Sequence, residues 1–257
     1  MVKIVQPNVR RLSSPNFDLD EVLDFLLDEQ VEWNRSRNAS DGENSVEFAG
    51  RICYMSFGSR QSPRNNSEYI RNLIDSGHES VLEHVGWTFL ITGVSRAFTH
   101  QLVRHRIGFS FSQLSQQYYD ESEAGFVLPP TLKKNANLLK IWEDGAQASL
   151  DVYRSLLRNA SESSVSMSNK EKLREARSAA RSALPNSIEA KIVVTANARA
   201  IRSFFMARGA IIGDWEMRNV SCQIYKLVTK DCPALFQDFM LSGLDDGSES
   251  VVVRPLI

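Results

Sequence analysis

Between Asp18 and Glu29 the chain reads DLDEVLDFLLDE, with Val22, Leu23, Phe25, Leu26 and Leu27 inside an acidic frame, the pattern of a short amphipathic helix. Residues 32–46 (WNRSRNASDGENSVE) lack apolar periodicity and read as a loop. From Ser67 to Gly77 the pattern predicts a helix with a serine cap and a glycine stop. Trp87 to Val94 (WTFLITGV), β-branched and aromatic, predicts a strand leading into a helix over Ser95 to His105. Helical spacing returns over Leu138 to Ala160, and Ser168-Asn169-Lys170-Glu171 is a capping box opening a helix to about Ala183. Pro185 stops it, because proline cannot continue the hydrogen-bond ladder. Ala190 to Thr195 reads as a buried strand, Asn197 starts a further helix, and Asp214 or Trp215 starts the next. The tail 243–257 turns from polar to apolar and reads as mobile or docked. Strands alternating with long helices and no internal repeat predict one α/β domain over residues 1–257.

Composition narrows the function. A chain of 257 residues with 42% hydrophobic and 24% charged residues is that of an ordinary globular protein. Thirty basic against 31 acidic residues leave a formal charge of -1, without the cationic excess that drives non-specific nucleic-acid binding. No nucleic-acid partner is therefore expected. Nor is a membrane, since no apolar run approaches the ~20 residues of a span and the N-terminus lacks a signal-peptide core. The three cysteines, Cys53, Cys222 and Cys232, form no C-x-x-C pair and read as buried small hydrophobes in a reducing cytoplasm. Four histidines, His78, His84, His100 and His105, match no standard zinc spacing, so no metal site is expected.

The distinctive chemistry lies in Arg104-His105-Arg106 and in Ser110 to Tyr118 (SFSQLSQQY). Guanidiniums bind phosphate oxygens as a bidentate fork and keep their charge, and neighbouring hydroxyls and amides can read the edge of a planar polar ring. A phosphorylated, ring-bearing ligand is the expectation. On a helix, Arg96, His100 and Arg104 would share one face, where three cationic groups are tolerable around an anion. Arg181, Arg199 and Arg208 add further guanidiniums, although one at a helix C-terminus can simply complement the macrodipole. Ser115 lacks a nucleophile elbow and is expected to hydrogen-bond a ligand. Neither a dinucleotide-binding glycine fingerprint nor a P-loop is present.

Together these pieces resemble the flavin-dependent thymidylate synthases, in that family's order over roughly residues 50–220. They are Gly77-His78-Glu79 with Glu83-His84; Arg96 with Thr99 to Arg106; Ser112 to Gln116 with Tyr118; Arg181 with Leu184-Pro185-Asn186; and Thr195 to Ala200 with Phe204, Arg208 and Trp215 to Arg218. The resemblance implies an α+β fold, with a central mixed or antiparallel sheet flanked by long helices. It also implies a homotetramer with active sites at subunit interfaces. FAD would be held by His78, Ser80, Glu83, Arg104, His105, Arg106, Asn197 and Arg199. The nucleotide would meet Arg96, Gln101, Gln113, Ser115, Gln117, Arg181 and Arg208, with Arg208 and Ser115 as the catalytic pair. The implied reaction is reductive methylation at C5 of a uracil nucleotide, dUMP or UMP. 5,10-Methylenetetrahydrofolate gives the carbon, and FAD reduced by NADPH gives the hydride. No cysteine has a basic neighbourhood that would supply a thiolate for C6, so electrostatic activation by Arg208 is implied.

The chain departs from the family pattern around the nucleotide. Eight residues separate Arg106 from Ser115 where seven are usual, with Ile107-Gly108-Phe109 carrying the extra one. Gln117 stands where arginine is usual, Ile212 where histidine is frequent, and Ser203 where histidine or asparagine is frequent. A lost charge-assisted bond costs about 1.5–3 kcal/mol, enough to reshape substrate affinity. The expectation is retained flavin chemistry with a reshaped substrate pocket acting on dUMP; in one alternative the extra residue makes room for the 2′-hydroxyl of UMP, and in a second the chain is a flavin- and nucleotide-binding homologue without methylase activity.

Overall fold

A computed structural model describes residues 2–162 and 168–255. In chain order it holds β1 (Lys3–Val5), β2 (Asn8–Ser13), α1 (Leu19–Asp28), α2 (Asp41–Ile52), α3 (Asn66–Asp75), β3 (Gly86–Ser95), α4 (Arg96–Leu102), β4 (Phe109–Gln113) and β5 (Gly125–Val127). There follow α5 (Pro130–Lys133), α6 (Ala136–Glu162), α7 (Asn169–Ala180), β6 (Glu189–Asn197), α8 (Ala198–Arg208), α9 (Trp215–Asp231), β7 (Phe239–Gly243) and β8 (Glu249–Val253). One sheet has the order β2-β3-β6-β4, so the fold is mixed α/β as expected. The chain divides into two compact units, one of residues 1–8, 90–105 and 111–193, the other of residues 9–89, 106–110 and 194–257.

In the first unit β1 pairs in parallel with β5, setting Ile4 opposite Phe126. Phe126 is fully buried among Val2, Ala124, Ala146, Leu150 and Ile188, with Trp142 packed edge-on against it. Burying one such phenylalanine stabilises the fold by roughly 1.5–3 kcal/mol. On α6 the row Trp142, Ala146, Leu150 and Tyr153 turns inward at the spacing of a helix face, whereas Leu138, Ile141, Val152 and Leu156 remain exposed.

The second unit is aromatic at heart. Phe205 of α8 meets Tyr225, Phe236 and Phe239 with ring centroids 5.7–5.9 Å apart, within the favoured range for edge-on pairs. Trp87 is buried against Phe236, and its indole N–H donates to Asp231 at 3.0 Å, satisfying a polar atom the core would otherwise strand. A smaller cluster joins Val22 and Leu26 of α1 to Phe57. Strands β7 and β8 form an antiparallel hairpin with Leu241 opposite Val251, and Arg254 bonds the Asp238 and Phe239 carbonyls, so as far as residue 254 the tail is docked.

Several sequence readings are corrected at element ends. The loop expected over 32–46 stops at Ser40, which caps α2 and exchanges hydrogen bonds with Glu43 in a capping box. Asn65, not Ser67, caps α3. Helix α4 ends at Leu102, and Arg104 and His105 lie in the turn beyond it. Arg96 and His100 keep their i, i+4 spacing on α4, but Arg104 lies outside the helix; Arg96 is half-buried, and the other two are exposed. Cys222 and Cys232 are buried, but Cys53 is exposed, against expectation.

Candidate active site

The residues expected to hold the flavin lie mostly in the second unit, where local backbone chemistry places them. Helix α3 closes with Gly77 at φ +70°, its N–H bonding the Ile74 carbonyl while the His78 N–H bonds that of Leu73. These are the two bonds of a Schellman cap, so the glycine stop read in the sequence fixes where His78 leaves the helix. A 3₁₀ turn over Glu79–His84 follows, carrying Ser80 and Glu83 outward. The Asn197 side chain caps α8 by accepting the Ala200 N–H at 2.9 Å. Two residues on, Arg199 donates to Glu83 at 2.6 Å and lies 3.7 Å from Glu79. Glu79 also reaches Arg202, whose fork grips both oxygens of Asp238 at 2.6 and 2.7 Å.

Gly108 belongs to the same cluster, packed against Asn197 and Ala200, a contact that its place in the sequence does not reveal. Its φ is +72°, and its carbonyl accepts the Asn197 N–H at 3.1 Å. A Cβ there would stand 2.8 Å from both the Asn197 amide nitrogen and the Ala200 methyl. Only glycine fits a left-handed turn this close to a neighbour. At the far end of α8, Gly209 does similar work for Arg208: the Val251 N–H bonds the Gly209 carbonyl, and a Cβ would fall 2.5 Å from the Val251 oxygen. Arg208 is thereby held half-buried at the point where α8 meets the β8 strand.

The first unit holds most of the expected nucleotide residues. Ser95 caps α4 by accepting the Phe98 N–H at 3.0 Å, which makes Arg96 the first residue of the helix. A cation there works against the macrodipole, so helix stability does not explain it. Its Nη1 donates to the Leu114 carbonyl at 3.2 Å. Burial depresses the pKa of the Arg96 guanidinium; the Glu121 carboxylate counters this in part, nearby Arg181 adds to it, and the net shift is downward. Gln113 donates to Thr99 at 3.1 Å, while Gln101 is half-buried on α4.

Ser115 opens a tight turn in which its carbonyl accepts the N–H groups of Tyr118 and Tyr119. Its hydroxyl oxygen accepts the Gln117 N–H at 3.4 Å, leaving the hydroxyl hydrogen to donate elsewhere. Gln117 reaches Ser178 on α7 at 3.4 Å, and Arg177 donates to the Tyr118 carbonyl at 2.9 Å. Arg174 lies over the Tyr118 ring, 5.2 Å from its centroid. Helix α7 thus brings Arg174 and Arg177 against the turn that carries Gln117. Burial works to raise the Asp120 pKa, but two hydrogen bonds from Ser122, aided by Arg177 and Tyr153, hold it below the usual value.

In the second unit the exposed guanidiniums of Arg106 and Arg199, with exposed His78, are donors suited to phosphate groups, as a flavin dinucleotide requires. Arg104, at the end of a segment of the first unit, is exposed as well, and His105 is half-buried. Burial pushes Cys222 up to about 11 and Cys232 up to about 12, so both stay as thiols at neutral pH. Among the described residues no group of three or more histidine, cysteine or acidic side chains could hold a metal ion. No described helix is long and apolar enough to cross a membrane.

Residues 36–234 match the family described as thymidylate synthase complementing protein. A flavin-dependent thymidylate synthase of Mycobacteroides abscessus is 40% identical over 237 residues, covering 91% of this chain and 93% of its own. Its counterpart in Mycolicibacterium gilvum is 42% identical, covering 91% and 92%, and that of Mycobacterium tuberculosis is 41% identical with the same coverage. With Arg96, the Ser115 turn, the capped Asn197-x-Arg199 segment and Arg208 standing in that family's order, the chain belongs to the flavin-dependent thymidylate synthases.

Proposed function

We propose that the protein catalyses FAD-dependent reductive methylation at C5 of a uracil nucleotide, converting dUMP to dTMP. 5,10-Methylenetetrahydrofolate is the carbon donor and NADPH the reductant. The observation that carries this reading is half-buried Arg96 at the first position of α4, where the macrodipole does not favour a cation, donating to the Leu114 carbonyl just ahead of the Ser115 turn: a partly desolvated guanidinium beside a hydroxyl and amides suits an anionic, ring-bearing ligand. A nucleotide phosphate fits that need. Gln101, Gln113 and Gln117 supply amide donors and acceptors for the sugar and base, and the Ser115 hydroxyl donates to the nucleotide. Arg208 stabilises the negative charge that develops on the pyrimidine as C5 is activated, in place of the covalent addition at C6 by which a thiolate activates C5 in cysteine-dependent enzymes. With both core cysteines held as thiols, this electrostatic route is the one the side chains support.

His78, Ser80, Glu83, Arg104, His105, Arg106, Asn197 and Arg199 hold FAD, which supplies the hydride when bound. Assembly as a homotetramer, with active sites at subunit interfaces, is part of the same reading. The exposed row Leu138, Ile141, Val152 and Leu156 on α6 supports self-association. The cytoplasm is the compartment that fits three unpaired cysteines.

A second reading is that UMP is also accepted. Gln117 in place of arginine and the extra residue at Ile107-Gly108-Phe109 favour it, because both alter the segment bearing Ser115. Anaerobic turnover with FAD, NADPH and methylenetetrahydrofolate, run with dUMP and UMP in parallel and read by mass spectrometry, separates the two. Methylated product from dUMP alone upholds the first reading, and product from both upholds the second. With no methylated product from either, the assignment of the chemistry fails. Arg208→Ala is expected to abolish turnover while leaving flavin bound.

A further inference from the structure

Arg177 of α7 is a guanidinium that neither the family motifs nor the proposed mechanism uses, yet it joins two residues read as nucleotide contacts. Its own carbonyl accepts the N–H of Arg181, the residue that closes α7. Its Nη1 donates to the Tyr118 carbonyl at 2.9 Å. The Tyr118 N–H in turn bonds the Ser115 carbonyl at 3.1 Å, closing the turn that carries the Ser115 hydroxyl. An unbroken run of three hydrogen bonds thus leads from Arg181 through Arg177 to Ser115, all within the first unit. Stability alone does not account for this placement. A cation in the last turn of α7 complements the macrodipole, but a fully exposed side chain would do so equally well. Arg177 is instead half-buried, and its Nε is buried with no hydrogen-bond partner among the described residues. A buried donor left unpaired works against the folded state.

We propose, on the reading that Ser115 and Arg181 contact the nucleotide, that Arg177 is a positioning residue that fixes the Ser115 turn relative to Arg181. Its planar guanidinium, on the helix that ends in Arg181, holds the Tyr118 carbonyl at a set place along α7. The turn so held keeps the Ser115 Oγ accepting the Gln117 N–H, which leaves the hydroxyl hydrogen to donate to the ligand. The hydroxyl and the Arg181 guanidinium then meet one ligand at a fixed spacing, and binding does not have to order the turn. Two other contacts tie the turn to α7, and both are looser. Gln117 donates to the Ser178 hydroxyl at 3.4 Å, long for a hydrogen bond, and Arg174 only lies over the Tyr118 ring. The bond from Arg177 is therefore the one that sets the register between turn and helix.

The test uses the flavin-loaded full chain and Arg177→Met, which keeps an apolar stem of similar length and removes the donors. Amide hydrogen exchange over residues 115–119 is expected to quicken by about tenfold in the variant, with exchange in α6 unchanged. Calorimetric titration with dUMP should give a dissociation constant about tenfold higher, with the flavin retained. Action through Ser115 is read from a double-mutant cycle with Ser115→Ala, which removes the hydroxyl and leaves the backbone carbonyl. The loss of affinity in the double variant should fall short of the product of the two single losses by about threefold or more. Unchanged exchange over 115–119 in Arg177→Met overturns the proposal. So does a double variant whose loss equals that product, since Arg177 would then act apart from Ser115. Failure of the native protein to bind dUMP would instead remove the nucleotide reading on which the proposal rests, an outcome told apart by the exchange measurement, which needs no ligand.

Discussion

Arg199, two residues beyond the cap of α8, donates to Glu83 in the 3₁₀ turn after His78 across 2.6 Å, and both side chains are more than two-fifths exposed. An ion pair this exposed adds at most about 1 kcal/mol to stability. Its significance is positional, because Glu83 and Glu79 aim a guanidinium that stability does not require there. Arg199→Ala is therefore expected to leave the unfolding midpoint nearly unchanged. Flavin affinity should fall by about one to two orders of magnitude, the worth of one lost charge-assisted bond. Flavin absorbance retained after dialysis, compared with melting temperature, checks both halves. A variant that keeps its flavin and melts early would give Arg199 a structural role instead.

Gly108 makes a sharper case. Alanine there must adopt φ near +72° and push its methyl into Asn197 and Ala200. Strain of this kind costs roughly 1–3 kcal/mol, and it displaces the residue that caps α8. Gly108→Ala should lower both stability and flavin retention, whereas Gly145→Ala, with open space around its Cβ position, should lower neither. Denaturation midpoints and bound flavin measured on the pair decide the matter. Loss of flavin in both variants would refute a local role for Gly108.

These two sites show what was legible in the sequence. Local chemistry was: Asp18, Ser95, Ser168, Asn197 and Asp214 cap their helices through their own side chains, each bonding a backbone N–H within the first turn. Gly77 ends α3 where expected. The Ser40–Glu43 capping box was present in the sequence but lay within a stretch too polar to show periodicity, which hid the start of α2 at Asp41. The three-residue strands β1 and β5 carry no period of their own and exist by pairing with each other across more than a hundred residues. The cationic row Arg96-His100-Arg104 failed because α4 ends at Leu102. The buried acids Glu121 and Glu47 could not have been found, since their partners are assembled only by the fold.

Glu47 anchors a buried polar network in the second unit. It holds Arg51 at 2.7 Å, accepts the Trp33 indole N–H at 3.1 Å and the Asn66 amide at 2.7 Å, while Arg51 stacks over Tyr69 and donates to the Ser56 carbonyl. Both charged side chains are at most 1% exposed. Removing one charge strands the other, at a cost of about 3–5 kcal/mol. Glu47→Gln should lower the urea midpoint accordingly, whereas Asp144→Asn, which breaks the exposed Lys140 pair, should move it by about 0.5 kcal/mol or less. Similar shifts for the two variants would mean that water reaches the Glu47 network.

The buried carboxylate of Glu121 makes a last demand, on stability against pH. Its pKa rises from 4.5 in the unfolded chain to about 7 in the fold, through burial. Between those values the folded state holds a proton that the unfolded state has released, so raising the pH through this window favours unfolding. The stabilisation present below pH 4.5 is lost as pH climbs towards 7 and changes little above it, with a total on the order of 3 kcal/mol from this group. Glu121→Gln cannot titrate and should flatten that limb, leaving the variant relatively more stable at pH 8 than at pH 5 when each is compared with the native protein. Urea unfolding at half-unit steps from pH 5 to pH 8 reads the difference directly. Parallel curves for the two proteins would mean that Glu121 is ionised in the folded state throughout, and its buried proton would have to be abandoned.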